Sequence, residues 1–331
     1  MAPKPNATLV QSGLATIILL LVNFSVVFIG VSAVSNSKFD TKKSFLKEIN
    51  NEGPYLGLIT VYPPEEHAFF STKAFHRHPT HPYIDLSGQR FRVGKIHDKK
   101  VIYVKCGTGT INAAAATQQM VDMFDVVGII QFGIAGNANS SLSIGDVTIP
   151  KQFAHTGIWA WMNPNGTSPL GSNLATLDFG SFNVPKGEET NRLGQIGFIA
   201  EELFYESGRV NVAQNVFWLE TSRRWLHLAA KLEGMKLGRC LNSSLCLPTK
   251  PKVVVGLRAS TSNIFVDNAA YRGYLFNTFG VSSVEMESVA VVMVTCRMIV
   301  FRGLSDLAGG QQEQNAINVF GPLAALNAPK S

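Results

Sequence analysis

The chain has 331 residues, 46% of them hydrophobic and 16% charged, with 29 glycines and 15 prolines. That length suits one large globular domain with an N-terminal addition, and the composition excludes collagen-like and disordered chains. The formal charge is +6, but basic residues cluster only in pairs such as Lys42-Lys43, Lys99-Lys100 and Arg223-Arg224, which argues against a nucleic-acid polymer as partner.

Residues 13–34 are almost wholly apolar, and Val31-Ser32-Ala33 supplies the short side chains a signal peptidase requires. Residues 1–33 therefore read as a signal peptide that directs the chain into the secretory pathway. The stretch is also long enough to span a bilayer, so an uncleaved signal anchor is the alternative and the one expected contact with a membrane. On a secretory route, Asn139, Asn165 and Asn242 head glycosylation acceptor patterns. Cys240 and Cys246 flank a short polar loop that a disulfide closes in an oxidising compartment, two free thiols being the other reading. Cys106 and Cys296 lie in apolar segments and read as core residues. No Cys/His spacing matches a metal site, and no motif demands a cofactor.

Residues 34–52 form a polar lead-in with helical character from Lys38 to Glu52. From 53 to 320, short apolar runs alternate with helix-compatible segments. Strands are predicted at Tyr55–Val61, Val101–Cys106, Val126–Phe132, Asp146–Pro150, Val253–Gly256, Val281–Val284 and Met298–Arg302, and helices at Asn112–Phe124, Thr221–Glu233, Asp267–Asn277 and Ser288–Val294. The alternation predicts an α/β domain with a covered, largely parallel sheet. Thr156 to Asn215, rich in Gly, Asn and Pro, reads as long loops, and residues 321–331 as a C-terminal tail.

Glycines follow two of these strands, in Cys106-Gly107-Thr108-Gly109 and Phe132-Gly133-Ile134-Ala135-Gly136-Asn137. Ligands of open α/β sheets bind at such carboxyl ends. Neither turn completes a dinucleotide fingerprint or a P-loop. Glu285 and Glu287 end one apolar strand and Asp306 follows another. Acids placed there cost desolvation free energy unless they have partners or chemistry to do; helix capping is the plainer explanation.

Val284-Glu285-Met286-Glu287-Ser288 and Arg302-Gly303-Leu304-Ser305-Asp306, together with Leu142-Ser143-Ile144-Gly145-Asp146-Val147, Ser262-Asn263-Ile264-Phe265-Val266-Asp267-Asn268 and the two glycine turns, resemble the nucleoside phosphorylase/nucleosidase superfamily. Over about residues 53–320 the chain resembles that superfamily's plant bark storage protein-like branch. The resemblance implies a three-layer α/β/α fold with a central mixed, partly barrel-like sheet, in a homo-oligomer; the secretory leader places it outside the cell, in the cell wall or in the vacuole. It implies cleavage of the N-glycosidic bond of a purine nucleoside or 5′-thioether nucleoside without a cofactor, phosphate being a co-substrate only for a phosphorylase. Asp306 matches the acid that protonates the purine, Glu287 the carboxylate that holds the ribose hydroxyls, and Met286 the apolar contact beneath the ribose. Phe265 matches the base-stacking aromatic, with Val266 beside the base edge; Ala135 and Gly136 line the sugar side, and Arg302 and Ser305 position Asp306.

In hydrolytic members a glutamate after the first strand is the general base. Glu65 and Glu66 both fit, and the sequence does not separate them. Gln131 stands where bacterial-type phosphorylases carry a phosphate-binding arginine, which favours a nucleosidase over a phosphorylase. The segment 288–301 is about four residues shorter than in the family, about one helical turn or 6 Å, so Thr295-Cys296-Arg297 must break the helix, and a displacement of Asp306 relative to Glu287 is expected. That shortening and the bark storage resemblance motivate the alternative function, a nitrogen storage protein of the same fold with little or no catalysis.

Overall fold

The computed structural model describes residues 42–163, 167, 173–178, 195–203, 213–309 and 316–330. The leader 1–33 and Asn165 lie outside the described residues. The chain divides into two units, Met1–Gly53 and Pro54–Ser331. The described part of the first is a helix over residues 42–51, within the predicted lead-in. No helix among the described residues is long and apolar enough to cross a membrane.

The second unit is α/β, built on a 13-stranded mixed sheet. In chain order it runs β1 Tyr55–Thr60, α1 Pro63–Ser71, β2 Phe75–Arg77, β3 Tyr83–Leu86, β4 Gln89–Ile96, β5 Lys99–Lys105, α2 Thr110–Met123, β6 Val126–Asn137, β7 Val147–Ile149 and β8 Gln152–His155. Next come β9 Trp159–Trp161, β10 Ala175–Asp178, β11 Gln195–Phe198, β12 Glu201–Leu203, β13 Gln214–Val216, β14 Trp218–Glu220 and α3 Arg223–Ala229. The rest is β15 Val253–Val255, β16 Arg258–Thr261, α4 Ala269–Phe279, β17 Val281–Glu285, α5 Ser288–Val294, β18 Met298–Leu307 and α6 Ile317–Asn327. The sheet order is β14-β8-β16-β17-β6-β1-β5-β4-β2, with β18 along the other side of β6 and β7 and β15 beyond it. β4–β5, β17–β6, β18–β7 and β14–β8 are antiparallel, so the sheet is mixed rather than largely parallel.

One strand determines where a ligand fits. The first half of β6 pairs with β1 through Gln131, and its end pairs with β17 at Gly136 and Asn137. Between these two partners its edge is open. On its other side it pairs with β18 along nearly its whole length. The apolar core lies beside it: Leu58, Phe69, Tyr103, Phe132, Ile299 and Phe301 form one cluster, and Ala113, Ala116 and Met120 of α2 are fully buried. Small alanines let α2 lie close to the sheet, where dense packing adds dispersion contacts.

Several expectations change. The described part of 156–215 is not loop: β9, β10 and β11 form a three-stranded antiparallel sheet and β12 pairs with β13. These strands are three or four residues long, too short to show a hydrophobic period. Residues 321–330 are not a tail. α6 runs through Gly321 and Pro322, with Leu323, Ala324, Ala325 and Asn327 buried; packing outweighs the Gly-Pro punctuation that suggests an end. Cys106 is buried but Cys296 is exposed, because it lies in the break between α5 and β18 rather than on either element. Cys240 and Cys246 are disulfide-bonded. Asn242 is exposed in their loop. Asn139 Nδ2 donates to Ser282 Oγ (3.1 Å) and its Oδ1 accepts from Ser141 N (2.9 Å).

Candidate active site

The site begins at the end of β1. Pro63 and Pro64 occupy the first helical turn of α1, where a missing N–H costs nothing and φ is already helical. The prolines thus start a helix and fix its phase. Glu65, at the third position, folds back so that Oε2 accepts from Val61 N (2.7 Å) and Tyr62 N (3.4 Å). Its Oε1 reaches the open edge of β6 and accepts from Ile134 N (2.8 Å). The close approach needs Gly133, because a Cβ there would overlap the Glu65 carboxylate and the Arg302 guanidinium. Glu66, one residue and about 100° further round the helix, points away and pairs with Arg92 and Lys105, both at 2.7 Å. Glu65 is therefore the cavity glutamate and Glu66 is not.

The second wall comes from β17 and α5. Glu285 is a cap: it accepts from Glu287 N (3.0 Å), Ser288 N (2.9 Å), Ser288 Oγ (2.9 Å) and the Thr261 hydroxyl. Glu287 sits against the N-terminus of α2, where Gly109 N donates to Oε1 (2.8 Å), a position that favours negative charge. Arg302, 1% exposed, donates to Glu285, to Glu287 Oε2 (3.3 Å), to Ser288 Oγ (3.0 Å) and to Ile134 O (3.3 Å). It holds the two glutamates rather than Asp306, which corrects its expected role. Ser305 Oγ donates to Asp306 Oδ1 (2.6 Å). At this point β18 bulges against β6, with Leu304 opposite Ala135 and Asp306 opposite Gly136.

The shortened connection is absorbed locally. α5 ends at Val294, Thr295 is extended, and Arg297 N donates to Thr295 Oγ1 (3.2 Å) before β18 starts at Met298. The expected displacement does not separate the two acids, for Glu287 and Asp306 line one cavity of about 210 Å³. Glu65, Ala135, Gly136, Phe265, Val266, Met286, Arg302 and Ser305 line it too. Tyr62, Thr108, Ile264 and Ile317 also line it, and nothing in the sequence singled them out. Phe265 is 57% exposed at the rim, a free apolar face against which a flat ligand can stack. Among the described residues no group of His, Cys, Asp and Glu could hold a metal ion.

Burial shapes the electrostatics. Desolvation raises the Glu65 pKa, with Arg302 and the backbone N–H groups opposing it. Desolvation also pushes Glu287 up to about 7, against the pull of Arg302. For Arg302 burial works against the charge, but Glu285, Glu287 and Glu65 together raise its pKa. Tyr62 is held neutral by burial, then by Glu65 and Asp306. One guanidinium thus serves several carboxylates, and the site is built to retain protons near neutral pH.

Glu65, Glu285, Glu287 and Asp306 thus converge on a cavity at the carboxyl ends of β1, β6, β17 and β18, with an aromatic face at the mouth. The family model of the phosphorylase superfamily matches residues 55–330. The chain belongs to the phosphorylase superfamily. Within that superfamily it is 32% identical to bark storage protein A of Populus deltoides over 279 residues, 82% of this chain and 85% of that protein. It is 24% identical to 5′-methylthioadenosine/S-adenosylhomocysteine nucleosidase of Treponema pallidum (strain Nichols), covering 69% of this chain and 74% of that one. Helicobacter pylori 5′-methylthioadenosine/S-adenosylhomocysteine nucleosidase, solved with butyl-thio-DADMe-Immucillin-A, superposes with a TM-score of 0.58 at 19% identity, over 84% of this chain and 96% of that one. The superfamily match extends past residue 320 and so includes α6.

Proposed function

We propose that the chain hydrolyses the N-glycosidic bond of purine nucleosides. The observation that carries this is the convergence of Glu65, Glu287 and Asp306 on one cavity; nucleosidases among its relatives support it. In the reaction the C1′–N9 bond breaks and its electron pair goes to the purine, where N7 takes a proton from Asp306. The ribose becomes oxocarbenium-like, its 2′- and 3′-hydroxyls donating to Glu287 and its underside resting on Met286. Phe265 stacks on the base, Val266 faces the base edge, and Ala135 and Gly136 border the sugar. Glu65 takes a proton from water as its oxygen bonds C1′, and proton exchange with solvent restores Asp306.

Hydrolysis is favoured over phosphorolysis. Gln131 carries no charge, and the cation lining the cavity among the described residues, Arg302, is already engaged by Glu285 and Glu287. A phosphate there lacks a free charge-assisted partner. The test is base release from adenosine, inosine and 5′-methylthioadenosine, with and without phosphate. Release independent of phosphate is expected; phosphate-dependent release would make the chain a phosphorylase. The 32% identity with bark storage protein A supports a second reading, a storage protein, which a folded chain that releases no base under either condition, and whose abundance rises and falls with nitrogen supply, would favour. The apolar leader and the Cys240–Cys246 bond support a secretory route, checked by N-terminal sequencing that begins near Val34. A homo-oligomer is expected by light scattering.

A further inference from the structure

Along the side of β18 that pairs with β7 lies a brace that the chemistry above does not use. The Cys240–Cys246 bond closes a hairpin in which Leu241 N donates to Leu245 O (2.9 Å) and Leu247 N to Arg239 O (2.9 Å). Arg239 Nε returns to Leu247 O (2.7 Å). Leu247, 1% exposed, packs where a side chain on residue 145 would stand, and Gly145 has φ +92°, so glycine suits that position twice over. Asn327 of α6, fully buried, ties the pieces together. Its Oδ1 accepts from Gly238 N (2.8 Å), and its Nδ2 donates to Gly238 O (2.9 Å) and to Gly145 O (3.3 Å).

The loop so held clamps the strand that carries Asp306. Gly145 N donates to Leu304 O (2.7 Å) and Leu304 N donates to Asp146 O (2.8 Å). Asp146 is fixed in turn, accepting from Ser143 N (3.0 Å) and Lys252 N (2.9 Å). Leu304 thus has both backbone groups pinned one residue before Ser305, where β18 bulges and turns Asp306 into the cavity. A bulge breaks the ladder locally, and its geometry depends on what holds the flanking residues. Small errors in the position of a reacting group are costly, about a hundredfold for 1 Å.

We propose that Asn327 and the disulfide-closed hairpin position Asp306, acting through Gly145 and Leu304, and that reduction of Cys240–Cys246 loosens this hold. Cys240 is exposed to a reductant. The effect on turnover rests on the hydrolytic reading, whereas the mechanical link does not. Amide hydrogen exchange on the full chain therefore tests the link first. Asn327→Ala, or reduction of the wild type with dithiothreitol, is expected to speed exchange across 303–307 roughly tenfold while residues 101–104 of β5 stay protected. Unchanged exchange at 303–307 in both overturns the brace, whether or not the chain is an enzyme. Should Asn327→Ala not fold, Cys240→Ser/Cys246→Ser carries the same test.

Kinetics then separates positioning from general loosening. With adenosine, kcat is expected to fall roughly tenfold with KM nearly unchanged. With 7-methylguanosine, whose purine leaves without taking a proton at N7, the fall is expected to be small, as for Asp306→Asn. Equal losses on both substrates overturn the link to Asp306. A wild type that cleaves neither substrate leaves the exchange result to judge the brace, and the base-release test given above to judge hydrolysis.

Discussion

α1 serves two unlike regions. From its first turn Glu65 enters a polar floor shared with Glu285, Glu287 and Arg302. From its last turn Phe69 and Phe70 enter an aromatic cluster, Phe69 stacking on Tyr103 at 5.0 Å and lying 5.2 Å from Phe132. The aromatic region is stabilised by burial, which is non-directional and roughly proportional to area. The polar floor is buried at a desolvation cost that its internal hydrogen bonds offset only while every member is present. The first holds the sheet together. The second is held in place by it and is available for chemistry.

The two regions should therefore respond to substitution in opposite currencies. The largest effect is expected from Asp306→Asn, which should lower turnover by about 10²–10⁴-fold while thermal unfolding shows little change; normal turnover would remove Asp306 from the proton-donor role. Phe69→Ala should cost about 3–5 kcal/mol in denaturant unfolding yet leave kcat of the folded fraction near normal. A large fall in kcat without loss of stability would erase the distinction between the regions.

A pH titration is expected to give a smaller signal. Glu287 has its pKa raised from 4.5 to about 7 on folding, and Glu65 shifts in the same direction. Their contribution to stability is complete below about pH 4.5 and declines as the pH rises through about 7. The melting temperature should fall over that interval, and Glu287→Gln should flatten the fall; an identical slope in the variant would show that Glu287 is not the group involved. Smallest of all, Glu66→Gln breaks part-buried ion pairs with Arg92 and Lys105. It should cost under about 1 kcal/mol and leave turnover unchanged. A fall of about a hundredfold or more, the scale of a lost general base, would mean that the two neighbours share the role.

The parts of the site that a sequence can show are those in which residue type and strand end coincide. Glu287, Met286, Ser305 and Asp306 fall in that class, and the structure brings them to one cavity. Glu65 and Glu66 were inseparable because their difference is one of helix phase, set by where Pro63 begins α1. The resemblance ties Arg302 to Asp306, four positions on and on the same strand face by simple alternation; the bulge between Leu304 and Asp306 breaks that phase, and the partners of Arg302 come from β17 and the start of α5. The short strands between 152 and 220 and the helix through Pro322 are decided by tertiary packing that no local pattern records.

The change of partner along β6 has a consequence for how such a domain ages in evolution. The opening between β1 and β17 belongs to the strand order, not to the side chains that line it. Those side chains can be exchanged singly while the sheet, the aromatic cluster and the cavity all persist. A lineage can thus surrender the reaction through one or two replacements and still make an abundant, well-folded protein, or recover it by the same route. On the hydrolytic reading proposed above, whether such a fold keeps the reaction is a question about Glu65, Glu287 and Asp306 rather than about its architecture.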